Sequence, residues 1–540
     1  MEAVDIALTV ALMIGAKPVD EIHVMRKTVI DGSNTTGFQR TCVIALGGEV
    51  EVEGKRVPIQ HIGLEEDAAR KIEEKGSIVR YRIDRLGIPL IEIATAPVLY
   101  SPKEAERVAL AIGRILRATR RVKRGLGTIR QDLNISISEG ALVEIKGVQE
   151  LELVSKVIEY EVQRQLNLLK IRDELRKRGL TIDEIKENFV DVTSIFKETE
   201  CKVIKKAISQ GKVVLAVKLP KFAGLLGMEL APNMRLGLEM ANRARFWGRV
   251  GGIFHTDELP AYGITNKEIN KLKQTLKADP QDAIVFVADT LENASDALKA
   301  VTERAREALT GVPEETRAAN PDGTTRYMRP RPGAARMYPE TDVPPIQLTE
   351  EYIEKIRLGL PELPEEKIKR LIREYGLNLK LAKQVMDSEY SDLFEKIAKE
   401  TRVPPTTIAA TLTETFKALK REGVAVERVT DQQIEELFHL IDSRVTTKEA
   451  IPEIIRWLSE HKGASVKDAI EGLGLAKLSR EELEEIIDTL VKENERLVME
   501  RGMKAFGPLM GLIMKKVRGR VEASLVSEVL KEKLKRFIGN

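Results

Sequence analysis

The chain of 540 residues is 43% hydrophobic and 32% charged, with a formal net charge of +3. This hydrophobic content excludes wholesale disorder, and the length allows about three to five domains. Two cysteines are too few for a disulfide framework or a cysteine-rich zinc site. The near-neutral charge excludes a global attraction to nucleic acid, and the abundance of Lys, Arg and Glu is typical of a thermophile's cytoplasmic protein.

The first predicted element is a buried helix over residues 3–15. This segment is apolar, but it contains Asp5 and is too short to cross a bilayer, so we expect no membrane contact. The chain begins inside this helix without a capping sequence before it. We therefore expect a further segment upstream of Met1 in the full-length protein.

Strands and helices alternate irregularly over residues 1–243. Short β-branched or alternating runs predict strands over residues 57–62, 79–83, 89–94, 133–137 and 142–145. A helix is predicted to begin at Ser101, with Pro102 in its first turn and Glu104 completing a capping box. A second long helix is predicted over residues 155–178. Together these elements predict a mixed-sheet cradle.

The rest of the chain changes character twice. Residues 244–321 predict a small inserted α/β domain, with helices over 266–276 and 294–309 and a strand over 283–287. Residues 322–346 return to the cradle as a proline- and arginine-rich loop, for which we expect irregular structure and a binding role. From residue 348 the pattern is helical, with a capping box at Ser479, and predicts a helical domain over 347–442 and a helical tail domain over 443–540. The predicted fold class is α+β with an all-helical C-terminal region.

Two basic clusters suggest local phosphate contacts within this near-neutral chain. The first lies on the helix that begins at Ser101 and just beyond it, and it includes Arg117, Arg121 and Arg124. The second lies near the C-terminus and includes Lys515, Lys516 and Arg518. Solvated helix faces balanced by nearby glutamates are the alternative for either cluster.

A dense polar segment follows the basic residues near the N-terminus. Residues 31–41 read DGSNTTGFQRT, a composition that favours a turn over a helix or a buried strand. Such a loop can grip an oxygen-rich substrate with backbone donors and hydroxyl groups. An ordinary surface turn is the alternative.

Carboxylates in and beside predicted strands are the strongest catalytic signal. Glu65, Glu66 and Asp67 follow one strand, and Glu92 lies between two isoleucines on another, where we expect it to be buried or half-buried. A buried carboxylate needs a partner, and hard oxygen ligands such as Glu66 and Glu92 suit Mg²⁺. An ion pair involving the nearby Asp84-Arg85 segment is the structural alternative.

A predicted hairpin carries a second polar set. Alternation places Arg130, Asp132 and Asn134 on one face of a strand, and Glu144 and Lys146 share a face of the next strand. The opposite face is apolar and can pack on a core. The polar face then either lines a cleft suited to phosphoryl transfer or is simply solvated.

Several common motifs are absent from the sequence. It has no GxxxxGK[ST] loop, no GxGxxG after a strand and no HExxH, and nothing points to a glutaminase nucleophile of its own. Its dense motifs resemble instead the B/E family of tRNA-dependent amidotransferase subunits, and within it the archaeal E branch that acts on glutamyl-tRNA(Gln). The resembling segments are residues 23–41 (HVMRKTVIDGSNTTGFQRT), 64–68 (LEEDA), 84–94 (DRLGIPLIEIA), 127–137 (GTIRQDLNISI), 143–146 (VEIK) and 336–345 (RMYPETDVPP). Residues around 244–321 resemble the insertion domain of bacterial-type aspartyl-tRNA synthetases, and residues 504–520 resemble the family's tRNA-binding tail.

The resemblance implies a catalytic cradle and a two-step reaction. ATP phosphorylates the γ-carboxyl of glutamate on mischarged tRNA(Gln), and ammonia from an asparaginase-like amidotransferase partner of the D type then displaces the phosphate. The resemblance implies that Glu66 and Glu92 are Mg²⁺ ligands and that six residues surround the phosphate and aminoacyl end, namely Lys27, Ser33, Thr35, Arg130, Asp132 and Lys146. It also implies a heterotetramer of two subunit types. Family members open with a strand that supplies further metal ligands, and this strand is expected upstream of Met1.

Two other functions stay open at this point. The basic clusters and the expected missing strand also allow a non-catalytic tRNA-binding subunit or a truncated, inactive paralogue. A free-standing synthetase of aspartyl type is the weaker alternative, because class II core motifs do not accompany the insertion.

Overall fold

The computed structural model describes residues 1–29, 32, 34–75, 78–125, 127–331, 336–517 and 519–539. The chain divides into two compact units, Met1–Pro361 and Glu362–Asn540. The first unit mixes helices with several small sheets, and the described part of the second unit is helical. The predicted α+β fold class with an all-helical C-terminal region is confirmed.

The strands found in the described residues all lie in the first unit. In chain order they are β1 (Lys17–Pro18), β2 (Glu21–Ile22), β3 (Met25–Thr28), β4 (Phe38–Leu46), β5 (Glu49–Val52), β6 (Lys55–Glu66), β7 (Arg70–Lys75), β8 (Ile78–Arg82), β9 (Pro89–Thr95), β10 (Gln131–Ile135), β11 (Val143–Val148), β12 (Val190–Asp191), β13 (Val213–Leu219), β14 (Glu229–Ala231), β15 (Met234–Arg235), β16 (Phe254–His255), β17 (Ala283–Asp289), β18 (Glu315–Ala319), β19 (Thr325–Pro330), β20 (Met337–Pro339) and β21 (Ile346–Gln347).

The helices are found in both units. Those of the first unit are α1 (Glu2–Met13), α2 (Pro102–Ala118), α3 (Leu151–Lys177), α4 (Lys202–Ser209), α5 (Leu236–Gly248), α6 (Asn266–Thr275), α7 (Leu291–Thr310) and α8 (Glu350–Arg357). Those of the second unit are α9 (Pro364–Tyr375), α10 (Leu379–Asp387), α11 (Ser391–Glu400), α12 (Pro405–Ala410), α13 (Phe416–Arg421), α14 (Asp431–Asp442), α15 (Ile451–Glu460), α16 (Val466–Leu473), α17 (Arg480–Glu493), α18 (Glu495–Arg501), α19 (Phe506–Val517) and α20 (Ala523–Gly539).

The largest sheet runs in the order β20-β3-β4-β6-β5, with β1 added on β4 and β9 on β6. Helix α1 packs on this sheet through fully buried side chains such as Ala7, Leu8 and Val10. The predicted buried N-terminal helix is therefore confirmed, and it covers one face of the sheet.

Two further sheets have four strands each. One has the order β10-β11-β18-β19, in which β10 and β11 form the predicted hairpin and β18 lies parallel to β11. The other has the order β12-β13-β17-β16 and packs with α5 and α7 around an apolar core. Its strands come from both sides of residue 244, and position 244 itself lies within α5. The division into five domains stays a prediction.

The predicted start of α2 is correct in its main features. Ser101 caps the helix by accepting a hydrogen bond from Glu104 N at 3.3 Å. The Glu104 carboxylate reaches back to Tyr100 N at 2.9 Å, one residue before the cap, and it also binds the Lys55 ammonium. The helix therefore begins where serine, proline and glutamate predict, and a lysine from β6 adds a tertiary contact.

The expectation of irregular structure over residues 322–346 is wrong in part. Strands β19 and β20 both lie within this range. Each is the outermost strand in the order of its sheet, and Pro330 and Pro339 are the last residues of these strands. Proline is tolerated at such positions because an edge strand has a side without ladder hydrogen bonds.

The helices of the second unit pack around two apolar clusters. One is built from residues 368–475 and the other from residues 478–534. The capping box predicted at Ser479 begins α17 and is confirmed. Between the clusters, the buried Thr447 hydroxyl donates to Gly519 O at 2.9 Å, so side-chain and backbone hydrogen bonds accompany the apolar packing.

A buried network of ion pairs joins α3, α5, α7 and β18 in the first unit. Arg164 is fully buried and binds Glu161 at 2.8 Å and Glu239 at 2.6 Å. Arg304 and Arg317 also contact Glu239. Burial alone would raise the pKa of Glu239, but the surrounding arginines hold it far below its usual range. The network tolerates burial because each charge has an opposite partner.

Replacing Arg164 by methionine is expected to lower the free energy of unfolding by about 3–5 kcal/mol, because the glutamates would stay buried without their partner. Guanidinium denaturation followed by Trp247 fluorescence in a Trp457→Phe background measures this change in the first unit. The control is Arg107→Met, whose exposed pair with Glu53 is expected to contribute less than about 1 kcal/mol. Equal losses in the two variants would contradict the stabilising role of the network.

Candidate catalytic site

One face of the large sheet brings together a lysine and two carboxylates. Lys27 on β3 binds the Glu65 carboxylate on β6. The β6–β9 register pairs Gly63 with Glu92 and Glu65 with Leu90. Because side chains of directly paired residues point to the same side, Glu65 and Glu92 share this face as diagonal neighbours. We call it the Glu65 face.

Glycine at position 63 keeps the Glu65 face open between its carboxylates. A β-carbon there would lie 3.2 Å from Cys42 O and 3.6 Å from Glu92 Oε2. Any larger side chain would extend beyond that point into the space in front of Glu92. Glu92 itself is exposed, so its predicted burial is wrong. The isoleucines beside it point to the opposite face, where α1 and α8 cover the sheet.

The opposite face carries a separate ionic cluster. Arg26 and Arg40 both bind the buried Glu340 carboxylate, and Arg40 also lies 3.3 Å from Glu66 Oε1. The hydrogen bond from Arg26 is the main reason why the pKa of Glu340 lies far below its usual range. Both guanidinium groups lie over the Phe38 ring, at 4.6 and 5.4 Å from its centroid. Glu66 thus pairs with Arg40, and its Oε2 also accepts a hydrogen bond from Arg40 N at 3.3 Å.

The hairpin β10–β11 presents a second charged cluster. Lys146 lies 2.8 Å from Asp132 and 3.1 Å from Glu144, and Glu144 accepts a hydrogen bond from Thr316 at 2.9 Å. Burial opposes the charge on Lys146, but Asp132 and Glu144 outweigh it and raise the pKa of the ammonium. Burial likewise opposes the charge on Glu144, and Lys146 with Thr316 lowers the pKa of this carboxyl below its usual value. We call this set the Lys146 cluster.

Arg130 forms an ion pair with a residue outside the Lys146 cluster. It lies 3.2 Å from Asp67, which also binds Arg85 at 2.8 Å. Arg130 precedes β10, so strand alternation does not fix its direction. The expectation that it shares a face with Asp132 and Lys146 therefore stays a prediction. The buried Asp67 instead ties the segment before β10 to the end of β6.

The polar loop is held together by one asparagine. Asn34 is buried, and its amide donates to Phe38 O at 2.6 Å while its Oδ1 accepts from Thr36 N at 3.2 Å. Thr35 is exposed in the same turn. Ser33 lies outside the described residues. An Asn-centred turn explains the local sequence, and the predicted role in substrate binding stays a prediction.

The predicted tRNA-binding residues lie on exposed surfaces. Arg117, Arg121 and Arg124 are exposed at and after the end of α2, and Arg121 lies 3.4 Å from Glu2. Lys515 and Lys516 are exposed on α19. Arg518 lies outside the described residues. Their role in RNA binding stays a prediction.

Two residues of these clusters were not identified from the sequence. Thr316 contacts Glu144 across a separation of 172 residues, through a parallel pairing that no local pattern shows. Gly63 looks like any glycine in a strand, although a glycine inside a strand often marks a close approach. The sequence did show Glu65 as one of two adjacent carboxylates. Which of Glu65 and Glu66 shares a face with Glu92 depends on the register between β6 and β9.

The described residues contain neither a membrane span nor a metal cluster formed by the protein alone. No helix in the described ranges is both long and apolar enough to cross a lipid bilayer. No group of three or more His, Cys, Asp or Glu side chains in those ranges is arranged to hold a metal ion by itself. Any metal here would depend on fewer protein ligands.

Comparison with known proteins defines the class to which this fold and site belong. A model described as the GatB/GatE catalytic domain matches residues 1–354, and one described as a GatB domain matches residues 392–534. The chain therefore belongs to the GatB/GatE family, which confirms the resemblance in the sequence motifs. Among its relatives, the glutamyl-tRNA(Gln) amidotransferase subunits E of Aeropyrum pernix and Methanocaldococcus jannaschii are each 52% identical to it. These alignments cover 99% of this chain and 84% and 85% of the relatives.

Replacing Asp132 by asparagine is expected to lower the pKa of Lys146. Burial lowers this pKa, and Glu144 would then be the remaining carboxylate of the cluster that raises it. A lower pKa leaves more free amine at a given pH, so acetylation of Lys146 by acetic anhydride at about pH 9 is expected to become faster. Mass spectrometry measures this rate against that of Lys299 as an internal reference. An unchanged ratio would contradict the electrostatic coupling of the Lys146 cluster.

Proposed function

We propose that the chain is the subunit of a glutamyl-tRNA(Gln) amidotransferase that activates and amidates the tRNA-bound glutamate, using ATP and ammonia. The observation that carries this proposal is the alignment of 99% of the chain with relatives of that name at 52% identity. The proposed partners are tRNA(Gln) carrying glutamate and an asparaginase-like amidotransferase partner of the D type, in a cytoplasmic heterotetramer of two subunit types.

The proposed reaction has two balanced steps. An oxygen of the γ-carboxylate attacks the terminal phosphorus of ATP, the bond to the bridging oxygen breaks, and ADP leaves. Ammonia then attacks the acyl-phosphate carbon, loses a proton and expels inorganic phosphate. One amide forms for each ATP consumed, so the site must hold phosphate and carboxylate groups together despite their negative charges.

The Glu65 face fits a magnesium ion with few protein ligands. Mg²⁺ takes one or two carboxylates and fills its other positions with water and phosphate oxygens. Glu65 and Glu92 supply two carboxylates on one side of the sheet, and Gly63 leaves the space between them open. We therefore assign the magnesium role to Glu65 and Glu92, because Glu66 belongs to the arginine cluster on the other face. Bound magnesium would neutralise phosphate charge.

Positive side chains would hold the remaining negative charge. Lys27 lies beside Glu65, so its ammonium would add positive charge next to a phosphate held at the Glu65 face. Lys146 stays an ammonium through neutral pH because its pKa is raised. Asp132 and Glu144 orient this ammonium at 2.8 and 3.1 Å. We assign Lys27 and Lys146 to the electrostatic stabilisation of the phosphoryl group.

Ammonia would come from outside this chain. A thiolate nucleophile needs a depressed pKa and access to solvent. Cys42 is buried, and burial raises the pKa of its thiol. Cys201 is also buried. Neither cysteine is therefore suited to release ammonia from an amide donor, which supports the proposed asparaginase-like partner.

A reconstitution experiment tests the proposed function. The chain is mixed with the asparaginase-like partner, Glu-tRNA(Gln), ATP, Mg²⁺ and asparagine, and Gln-tRNA and ADP are measured. The proposal requires equal amounts of both products. Tight tRNA binding without ADP formation would overturn it in favour of a non-catalytic tRNA-binding subunit.

Separate substitutions of neighbouring carboxylates locate the magnesium site. Glu65→Gln and Glu92→Gln are each expected to reduce turnover by at least about 100-fold, since loss of charge stabilisation at the phosphoryl group costs about 3 kcal/mol or more. Their affinity for tRNA is expected to stay unchanged. Glu66→Gln is the matched control and is expected to lose much less activity. A large loss in Glu66→Gln with normal turnover in Glu65→Gln would return the metal role to Glu66.

A further inference from the structure

A cavity outside the candidate catalytic site lies among β15, α5 and β16. Its volume is about 310 Å³. Its lining includes Arg235, Arg245, Phe254, His255, Glu258 and Tyr262. The lining residues come from two stretches of the first unit, 233–245 and 253–262, which pack against each other.

The lining of the cavity includes a largely buried histidine, His255. The His255 side chain is 9% exposed, and its buried Nδ1 has no hydrogen-bond partner among the described residues. The other nitrogen, Nε2, lies 3.7 Å from Glu258 Oε2. The ring fits here because position 237 is glycine, where a β-carbon would collide with Nε2. Nε2 is the ring nitrogen that faces Gly237 and Glu258, two other residues of the lining, so a ligand in the cavity would meet this atom.

The rim of the cavity combines an aromatic face with two cations. Tyr262 is 61% exposed although its ring packs edge-on against Phe254 at 6.0 Å. Its hydroxyl donates to Glu258 Oε2 at 3.4 Å, which fixes the ring at the cavity mouth. Arg235 is exposed, and Arg245 is oriented by donating to Gly251 O at 2.9 Å. One aromatic ring, two guanidinium groups and an imidazole nitrogen therefore line one small volume.

We propose that this cavity binds a single unpaired nucleotide, with its base on Tyr262, a base-edge group on His255 Nε2 and its phosphate on Arg235 and Arg245. Bases of single-stranded RNA are commonly held in this way, by stacking on aromatic rings and by hydrogen bonds to their edges. Arginine suits the phosphate because its planar donors match phosphate oxygens. The volume accommodates one base with part of its sugar, but not a duplex.

The source of the nucleotide is either RNA or a free nucleoside monophosphate. We favour a nucleotide extruded from the bound tRNA, and this choice of source rests on the proposed function. The chemistry of the cavity does not depend on that choice, because both sources offer the same base and phosphate.

The test measures binding to the full chain with two kinds of probe. Titration calorimetry is done with AMP, CMP, GMP and UMP, and filter binding is done with tRNA(Gln). Tyr262→Ala is expected to weaken binding of at least one probe about tenfold, because stacking on one aromatic ring contributes about that much. Tyr262→Phe keeps the ring and is expected to bind normally. Arg235→Gln is expected to weaken the same probe and to reduce its salt dependence.

Two further variants separate the cavity from the general surface. Leu238→Trp places a larger side chain at the lining of the cavity, where Leu238 is 40% exposed, and is expected to weaken binding of the same probe. Lys299→Gln removes an exposed charge on α7 and is expected to change nothing. Losses restricted to tRNA identify RNA as the source, and losses with monophosphates identify a free nucleotide.

The result that overturns the proposal is normal binding of every probe in Tyr262→Ala, Arg235→Gln and Leu238→Trp. If Gln-tRNA forms normally in that case, the proposed function stands without the nucleotide site. If Gln-tRNA never forms but the three variants lose nucleotide binding, the proposed function fails and the nucleotide site stands.

Discussion

The antiparallel register of β6 with β4 and β9 is the constraint on which the candidate catalytic site depends. Successive side chains of a strand point to opposite faces, so Glu65 and Glu66 must separate. Glu65 forms an ion pair with Lys27 and lies on the same face as Glu92. Glu66 forms an ion pair with Arg40, which also binds the buried Glu340. A shift of one residue in the register of β6 would exchange these two carboxylates, so that Glu66 would face Lys27 and Glu65 would face Arg40.

Alternation along β18 connects the buried ion pairs to the Lys146 cluster. Glu315 and Arg317 are almost fully buried and pair with Arg164 and Glu239. Thr316 lies between them and must point the other way, where its hydroxyl reaches Glu144. Buried ion pairs are weak evidence for net stability, because desolvation offsets their attraction. Here they fix the position of a strand, and that position delivers a hydrogen-bond donor to the hairpin.

The sequence predicted the helices and strands better than it predicted the tertiary contacts between them. Local patterns located α1, α2 and the strands β6, β9, β10 and β11, because capping residues and alternation act within a few residues. The same patterns gave the polar and apolar faces of the hairpin. They could not show that Arg130 turns toward Asp67 or that Glu92 is exposed. Those outcomes depend on which element covers a face, and long-range packing decides that.

The charges of Glu144 and Lys146 are expected to be constant around neutral pH. The pKa of Glu144 is lowered, so its charge contributes above that value and is lost only as the pH falls through it. The pKa of Lys146 is raised, so its charge is lost only as the pH rises through the higher value. Between these limits the two groups keep one arrangement of charge. A pH dependence of amidation near neutrality would then have to arise from groups outside the pair of Lys146 and Glu144.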